Sequence, residues 1–472
     1  MDLSFGSTYD RFREEVKTFL KNNHEKAPKG RGVGESQAAQ QTLDWQKLLI
    51  ENGYTCRTIP KEYGGYGAEP NIIESRIIAE EFASAKVSQG LGGQGISMLT
   101  PTLLEMGSEE QRQQFIRPTI YGEMSWCQGY SEPGAGSDLA SLTTSAVLDG
   151  DEWVVNGQKI WTSSAHIADW IFCLVRTEPE APKHQGISFL LFRMDTPGIE
   201  VRPLVDMTGV ANFNETFFTD VRVPKDQIVG ARGQGWQVAN TILGHERETL
   251  ATSSMTLTRL NAVKDMMKEE TISGERIIDN PAYRDRLMKL QGREMAMRYN
   301  EMRILSSRLN QGQDATLARM ITKLQGTELR HEVEGMAIDI LGEIGLAYED
   351  NPYLRGAGSW QSQYMYYLGL IIGGGTNQIQ KNIINDLKIS PVNYHTDYFL
   401  YWIQLGKLLH TSNLYLLLLC NCISTNVPLD ILDGVSCTGK ATRKILWYQI
   451  ANCKNIYANI IFDCWGNIKC LQ

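Results

Sequence analysis

The spacing of apolar positions changes twice along the chain. Over roughly the first 120 residues it is helical. Phe12, Val16, Phe19 and Leu20 fall at i, i+4, i+7 and i+8 and form one apolar stripe. Leu43, Trp45, Leu48, Leu49 and Ile50 predict a second helix, stopped by Gly53. A Gly/Pro loop, TIPKEYGGYGAEP, precedes a third helical stretch from Asn71 to Ala85. A Gly-rich segment (Gly90, Gly92, Gly93, Gly95) and a helix over Glu109 to Ile116 follow. From about residue 122 the pattern becomes that of short strands. SAVLDGDEWVVNGQKIW carries the pairs Asp149-Gly150 and Asn156-Gly157 between β-rich runs, and each pair predicts a hairpin turn. WIFCLVRT, GISFLLFRM, GIEVRPL and NETFFTDVRVP predict further strands, with the β region closing near Gly230. From Gly235 the helical period returns. Leu317, Met320, Ile321 and Leu324 make a stripe that Val333, Met336, Ala337, Ile340 and Leu341 continue.

Helices, then strands, then helices predict an α+β fold with segregated domains, not a doubly wound sheet. The expected organisation is an N-terminal helical domain (1–121), a middle β domain (122–232), a C-terminal four-helix-bundle-like domain (233–384) and an unrecognised tail (385–472). No solenoid-type repeat is present.

Composition narrows the function classes. The chain has 472 residues, a net charge of −8, 42% hydrophobic and 21% charged residues. An acidic balance argues against nucleic acid as a partner, which needs a basic face. No run of 18 or more apolar residues exists, so no membrane span is expected. The N-terminus, MDLSFGSTYDRFREEV, has early acids and no apolar core, and it is not Arg-rich. The cytoplasm is therefore the expected compartment and the mitochondrial matrix the alternative.

Cysteine use is uneven. Cys56, Cys127 and Cys173 serve the first 419 residues, whereas six of the nine cysteines crowd between Cys420 and Cys470. All 16 methionines lie at or before Met365. A compositional boundary thus falls near Ile384. A lineage-specific extension, a partner-binding or membrane-surface helix, and translated non-coding sequence are three readings of the tail. The third accounts best for the missing methionine and the odd cysteines.

Three segments have the makings of a site. QGYSEPGAGSD, from Gln128 to Asp138, is a tight turn whose exposed N–H groups can cradle an anion or a polar ring edge; a plain entry loop is the alternative. NGQKIWTSSA, from Asn156 to Ala165, sets an aromatic slab beside three hydroxyl residues, which suits a flat heteroaromatic cofactor; a core Trp161 with surface hydroxyls is the alternative. In IIGGGTNQIQKNII, from Ile371 to Ile384, Gly373 to Gly375 permit close backbone approach to a ligand. Thr376 is placed to cap a new helix with Gln380 in its first turn. A simple helix–loop–helix connection is the alternative there.

Together, in this order, the three segments resemble the acyl-CoA dehydrogenase family of FAD-dependent flavoenzymes, over roughly residues 5 to 384. The resemblance implies FAD contacts at Gln128, Tyr130, Ser131, Gly136 and Ser137, at Trp161, Thr162 and Ser163 along the isoalloxazine ring, and at Gly375, Thr376, Asn377 and Gln378. It places Ser137, Arg247 and Gly374 near the acyl-CoA. Many members carry the base glutamate at the position held here by Gly374, which cannot take a proton. A minority place it in a Glu-Arg pair on an earlier helix, and LGHERETL supplies Glu246 and Arg247. Glu246 is therefore the expected catalytic base, with Glu248 and Glu343 as rivals and His245 as a surface residue. The backbone N–H at Gly374 survives loss of a side chain and would donate to the thioester carbonyl.

The implied reaction is α,β-dehydrogenation of an acyl-CoA thioester to the trans-2-enoyl-CoA, with electrons passed to an electron-transfer flavoprotein. An oxygen-using oxidase and a catalytically impaired paralogue acting as a subunit partner are the alternatives. A homo-oligomer, dimer or tetramer, is implied. Two segments depart from the family. SGERIIDNPAYRDR lacks the basic, aromatic-containing stretch through which a neighbouring subunit reaches FAD. DILGEIG, from Asp339 to Gly345, replaces the Gln-x-x-Gly-Gly-x-Gly turn.

Overall fold

The computed structural model describes residues 7–28, 40–249, 253–309, 316–348 and 351–386. The tail from residue 387 onward lies outside the described residues.

The N-terminal region is helical, as its periodicity predicts. Helices α1 (Ser7–Asn23), α2 (Gln40–Glu51) and α3 (Ile72–Ala85) bury Val16, Leu20, Trp45, Leu49, Ile77 and Phe82 in one apolar cluster. Asn71 starts α3 by accepting from the N–H groups of Ile73 and Glu74 at 3.1 Å each. The Gly-rich segment contains more structure than its composition suggests. A π-helical turn over Gly95–Leu99 runs into α4 (Thr100–Met106), with Pro101 in its first turn, where a missing N–H costs nothing. Helix α5 (Glu109–Ile120) opens on a capping box made by Ser108 and Gln111.

The middle region forms one sheet of seven strands: β1 (Trp126–Gly129), β2 (Ser145–Asp149), β3 (Glu152–Lys159), β4 (Trp170–Arg176), β5 (Ile187–Arg193), β6 (Ile199–Leu204) and β7 (Phe213–Pro224). Asp149 pairs with Glu152 across Gly150, so the first predicted turn is a hairpin. The second is not. Asn156 and Gly157 lie inside β3, at a bulge where the register against β7 shifts. Gly157 has φ +149°, and a Cβ there would sit 2.6 Å from Thr144 Oγ1. Asn156 binds Asp220 from both ends of its amide instead of turning the chain. The pair thus serves a bend within a strand, the other use of Asn-Gly geometry.

Strands β4 and β5 are buried on both faces and read as continuous apolar runs. Their period of two divides the core. Phe172 and Leu174 face a cluster shared with Leu99, Phe115, Tyr130 and Ile242, whereas Ile171, Cys173 and Val175 face one with Val155, Phe218 and Val221.

The C-terminal region is helical: α6 (Gly235–Thr249), α7 (Ser253–Glu269), α8 (Pro281–Leu309), α9 (Thr316–Leu341), α10 (Ser359–Ile372) and α11 (Asn377–Asp386). Leu260, Met267, Leu290, Leu329, Val333 and Met336 share its core. SGERIIDNPAYRDR begins at the Ser273-Gly274 turn of a small hairpin, β8 (Thr271–Ile272) and β9 (Glu275–Arg276), and supplies its second strand. Helix α6 is the bridge between regions. It packs on β5 and the 95–99 turn on one side and on α9 on the other.

Candidate active site

Strand β1 delivers Gln128 to the sheet edge, where it accepts from Gln94 Nε2 at 3.2 Å. The chain then turns at Glu132-Pro133-Gly134-Ala135, with backbone hydrogen bonds of 3.0 Å in both directions between Glu132 and Ala135. Gly136 and Ser137 are exposed on the far side of the turn, while Gln128 and Ser131 are half-buried. At Gly134 and Gly136 an added Cβ would meet nothing within 4 Å, so this backbone faces open space.

The second segment follows β3. Trp161 takes φ +60° and is 57% exposed, which rules out the core-tryptophan alternative. Its ring meets Phe213 edge-on at 5.9 Å. Thr162 is fully buried. Its N–H donates to the Asn214 carbonyl at 3.0 Å, and its carbonyl accepts from Asn214 Nδ2 at 2.8 Å. Ser163 is half-buried.

A buried ion pair joins the two segments. Lys159 Nζ, at the end of β3, donates to Glu132 Oε1 at 2.8 Å and to the Tyr130 carbonyl at 3.1 Å. Glu132 also accepts from Thr143 N, Thr143 Oγ1 and Thr144 N at 2.7 to 2.8 Å. Burial pushes its carboxyl pKa up, but the Lys159 charge and these donors draw it down to about 2. The Ile160 N–H closes the contact onto the Ser131 carbonyl at 2.9 Å. The motif reading missed this pair. Strand alternation from Trp153 and Val155 carries to position 159 and puts Lys159 on the buried face, so the signal was present.

The third segment is built against α9. Helix α10 ends at Ile372, and Gly374 (φ +65°) and Gly375 (φ +92°) reverse the chain. Thr376 Oγ1 accepts from the Ile379 N–H at 3.2 Å and caps α11, as the spacing predicts. Asn377 is buried and donates to Glu328 at 2.7 Å; Gln378 is exposed. Lys323 and Gln380, both fully buried, hold carbonyls of the glycine turn. Neither was picked out for that role from the sequence.

Glu246 lies on α6, half-buried. The same helix places Val238, Ala239 and Ile242 in the cluster that holds Tyr130. The Tyr130 ring meets Phe172 and Phe189 edge-on. Burial raises its hydroxyl pKa well above the usual tyrosine value, and the nearby Glu246 charge raises it further. His245 pairs with Glu105 at 3.2 Å, and Glu343 is exposed. The side chains of Arg247 and Glu248 lie outside the described residues. The structure therefore joins the first two segments directly and puts Glu246 on the helix that packs against the Tyr130 cluster. No hydrogen bond among the described residues links Gly373–Gln378 to the β-domain loops; the connection runs through the packing of α6 on α9.

Four buried polar atoms in these segments have no partner among the described residues: Tyr130 Oη, Thr162 Oγ1, Asn377 Oδ1 and Gln380 Oε1. An orphaned polar atom is costly unless a ligand or water completes it. An exposed aromatic face, orphaned hydroxyl and amide groups, and open Gly-rich backbone fit a flavin dinucleotide in chemical kind. The described residues contain no cluster suited to a metal and no helix long and apolar enough to cross a membrane.

Known proteins agree with this architecture. The acyl-CoA dehydrogenase N-terminal, middle and C-terminal domain families match residues 7–123, 127–221 and 233–387. The chain is 36% identical over 384 residues to acyl-CoA dehydrogenase IpdE1 of Mycobacterium tuberculosis, covering 79% of this chain and 96% of that one. Among solved structures, the Tcur3481-Tcur3483 steroid ACAD superposes with a TM-score of 0.67 at 30% identity, over 82% of this chain and 98% of its own. The ChsE4-ChsE5 complex from Mycobacterium tuberculosis gives 0.67 at 30%, over 81% and 97%. Three domain matches in sequence order, a fold of helices, sheet and helices, and loops suited to a flavin lead to one conclusion: the chain belongs to the acyl-CoA dehydrogenase family, FAD-dependent oxidoreductases that act on acyl-CoA thioesters.

Proposed function

We propose that this enzyme converts an acyl-CoA to the trans-2-enoyl-CoA with Glu246 as the catalytic base. One observation carries the assignment. Helix α6 carries Glu246 and packs Val238, Ala239 and Ile242 into the cluster that holds Tyr130, whose hydroxyl feels the Glu246 charge. Position 374, where many relatives carry the base, is glycine. A carboxylate at position 246 can take the weakly acidic α-proton as general base.

FAD, held by these loops, would supply the two-electron oxidising power for removal of the β-hydrogen as hydride. Gln128, Tyr130, Ser131, Gly136 and Ser137 hold one side of it. Trp161, Thr162 and Ser163 line its ring, and Gly375, Thr376, Asn377 and Gln378 complete the cradle. The Gly374 N–H donates to the thioester carbonyl, where charge develops as the proton leaves, in the manner of an oxyanion hole. Ser137 and Arg247 contact the acyl-CoA. An electron-transfer flavoprotein reoxidises the enzyme.

The acyl group is assigned by class. Solved relatives include a steroid ACAD, so polycyclic acyl-CoAs belong in the substrate series beside straight and branched chains. Met288, Met295 and Tyr299 recur at i, i+7 and i+11 on α8 and are more than half exposed, which supports a homo-oligomer packed through that face. Free thiols at Cys56, Cys127 and Cys173 suit a reducing cytoplasm.

The test is anaerobic titration of the yellow protein with such a series, followed at the flavin absorbance. Glu246→Gln should keep FAD and lose at least about a thousandfold in turnover, since it removes the only proton acceptor assigned to the step. Activity near wild type in that variant refutes the assignment. Peroxide formed at the turnover rate gives oxygen as the acceptor, and no bleaching by any acyl-CoA marks an impaired paralogue.

A further inference from the structure

Lysine 323 is a costly residue to place inside a helical bundle. It is fully buried on α9. An ammonium ion out of water needs strong partners, and two of them are backbone carbonyls on a different segment. Lys323 Nζ donates to the Ile371 carbonyl at 3.1 Å and to the Gly375 carbonyl at 2.6 Å. The first belongs to the last turn of α10, where unpaired carbonyls and the negative end of the helix dipole both favour a cation. The second lies beyond the helix, in the glycine turn.

Those contacts bracket Gly373 and Gly374. Three successive glycines have little backbone preference of their own, so their geometry must be imposed from outside. The Gly373 N–H closes α10 onto the Gly369 carbonyl at 2.8 Å. The Gly374 carbonyl accepts from Gln380 Nε2 at 3.0 Å. Gln380 approaches so closely that a Cβ on Gly375 would lie 2.8 Å from its Nε2. The carbonyls of residues 371, 374 and 375 are thus held from α9 and α11. The N–H of Gly374 makes no hydrogen bond among the described residues.

The geometry points to Lys323 as a positioning residue: with Gln380 it clamps the carbonyls on either side of Gly374, so that the Gly374 N–H is preset toward the thioester carbonyl. The inference rests on the functional reading above, in which that N–H is the carbonyl donor. Preorganised donors are effective because they need no rearrangement as charge develops. A turn of three glycines supplies that only when clamped. A side chain at 374 is unnecessary for this task, which agrees with glycine standing there while the base is on α6.

The test uses the FAD-loaded full chain and a substrate that bleaches it. Lys323→Met keeps the side chain's length and removes the ammonium that donates to both carbonyls. It should lower kcat about 30-fold or more with KM within about threefold and FAD content unchanged, since loss of a whole oxyanion donor costs about a hundredfold to a thousandfold. Lys323→Arg, which retains charge and donors, should recover to within about fivefold of wild type. Gln380→Leu releases one clamp only and should cost about tenfold. Infrared difference spectra of the bound enoyl-CoA report the donor directly. The carbonyl stretch should shift less from its solution position in Lys323→Met and Gln380→Leu than in wild type. A role confined to folding would lower FAD content and kcat in proportion and leave the carbonyl shift of the loaded fraction intact, which overturns the proposal. Should Lys323→Met fail to fold, Gln380→Leu decides by the same carbonyl shift. Bleaching of the wild type with unaltered variants overturns the positioning role alone. A loaded wild type that no acyl-CoA bleaches overturns the functional reading and this inference with it.

Discussion

Replacing Glu132 by glutamine removes the charge that Lys159 faces inside the β domain and leaves the shape unchanged. The two groups lie 2.8 Å apart, with Lys159 fully buried and Glu132 nearly so. At that distance and an effective dielectric of about 20 the attraction is about 6 kcal/mol. Desolvation of both ions offsets most of it, so the pair's net worth is modest. Deleting one partner is different, because the other charge stays buried, and the expected loss is about 3–5 kcal/mol. For the roughly 380 residues of the three domains the unfolding entropy is about 0.8 kcal/mol/K, so Tm should fall by about 4–6 °C if they unfold as a unit. The double variant Glu132→Gln/Lys159→Met removes the stranded ammonium and should regain at least about 1 kcal/mol.

Acid adds an independent arm. The Glu132 carboxyl is held at about 2 in the fold and titrates near 4.5 when unfolded. Its contribution is therefore complete above about pH 4.5 and is lost as pH falls toward 2, a difference of about 3 kcal/mol. Urea unfolding at pH 7 and along that acid limb measures both effects. Because the pair ties the loop after β1 to the loop after β3, FAD retention on dilution should weaken in parallel. Single variants within about 1 kcal/mol of wild type, with an unchanged acid limb in Glu132→Gln, would refute the reasoning.

Other outcomes follow from particular residues. Gly157→Ala must place a Cβ 2.6 Å from Thr144 Oγ1 at φ +149°, and should cost about 2–3 kcal/mol in urea unfolding. Trp161→Ala should change stability by less than about 0.5 kcal/mol, because the ring is mostly solvent-exposed, yet release FAD faster in a flavin-fluorescence dilution assay. Thr376→Ala removes the cap of α11 and should cost about 1 kcal/mol, seen as faster amide exchange confined to that helix.

Much of this protein was legible along its sequence. Period alone separated helices from strands, because buried faces repeat at 3.6 or 2.0 residues whatever they pack against. It placed α1 to α3, short continuous apolar runs placed β4 and β5, and the cap at Thr376 followed from local chemistry. Asn156-Gly157 was misread because the same dipeptide serves a hairpin turn and a strand bulge. The choice between them was made by the partner strand β7 and the approach of Thr144, neither of which is local. Likewise α4 was hidden behind a glycine cluster, since its burial against α5 and α6 compensates a weak intrinsic signal.

The site divides along the same line. Its three motifs stand in the sequence because each is a short backbone device with its own residue requirements. Two of the contacts that hold them do not: Lys159 on Glu132 and Lys323 on the Gly375 carbonyl join positions that only the fold brings together. Glu246 could be named from a pair of letters. Its position depends on α6 packing across β5 and α9, contacts between chain segments dozens of residues apart. Sequence fixes local geometry through sterics and periodicity; the burial of charge and the meeting of distant groups are decided by tertiary packing, because desolvation exists only once the core has closed.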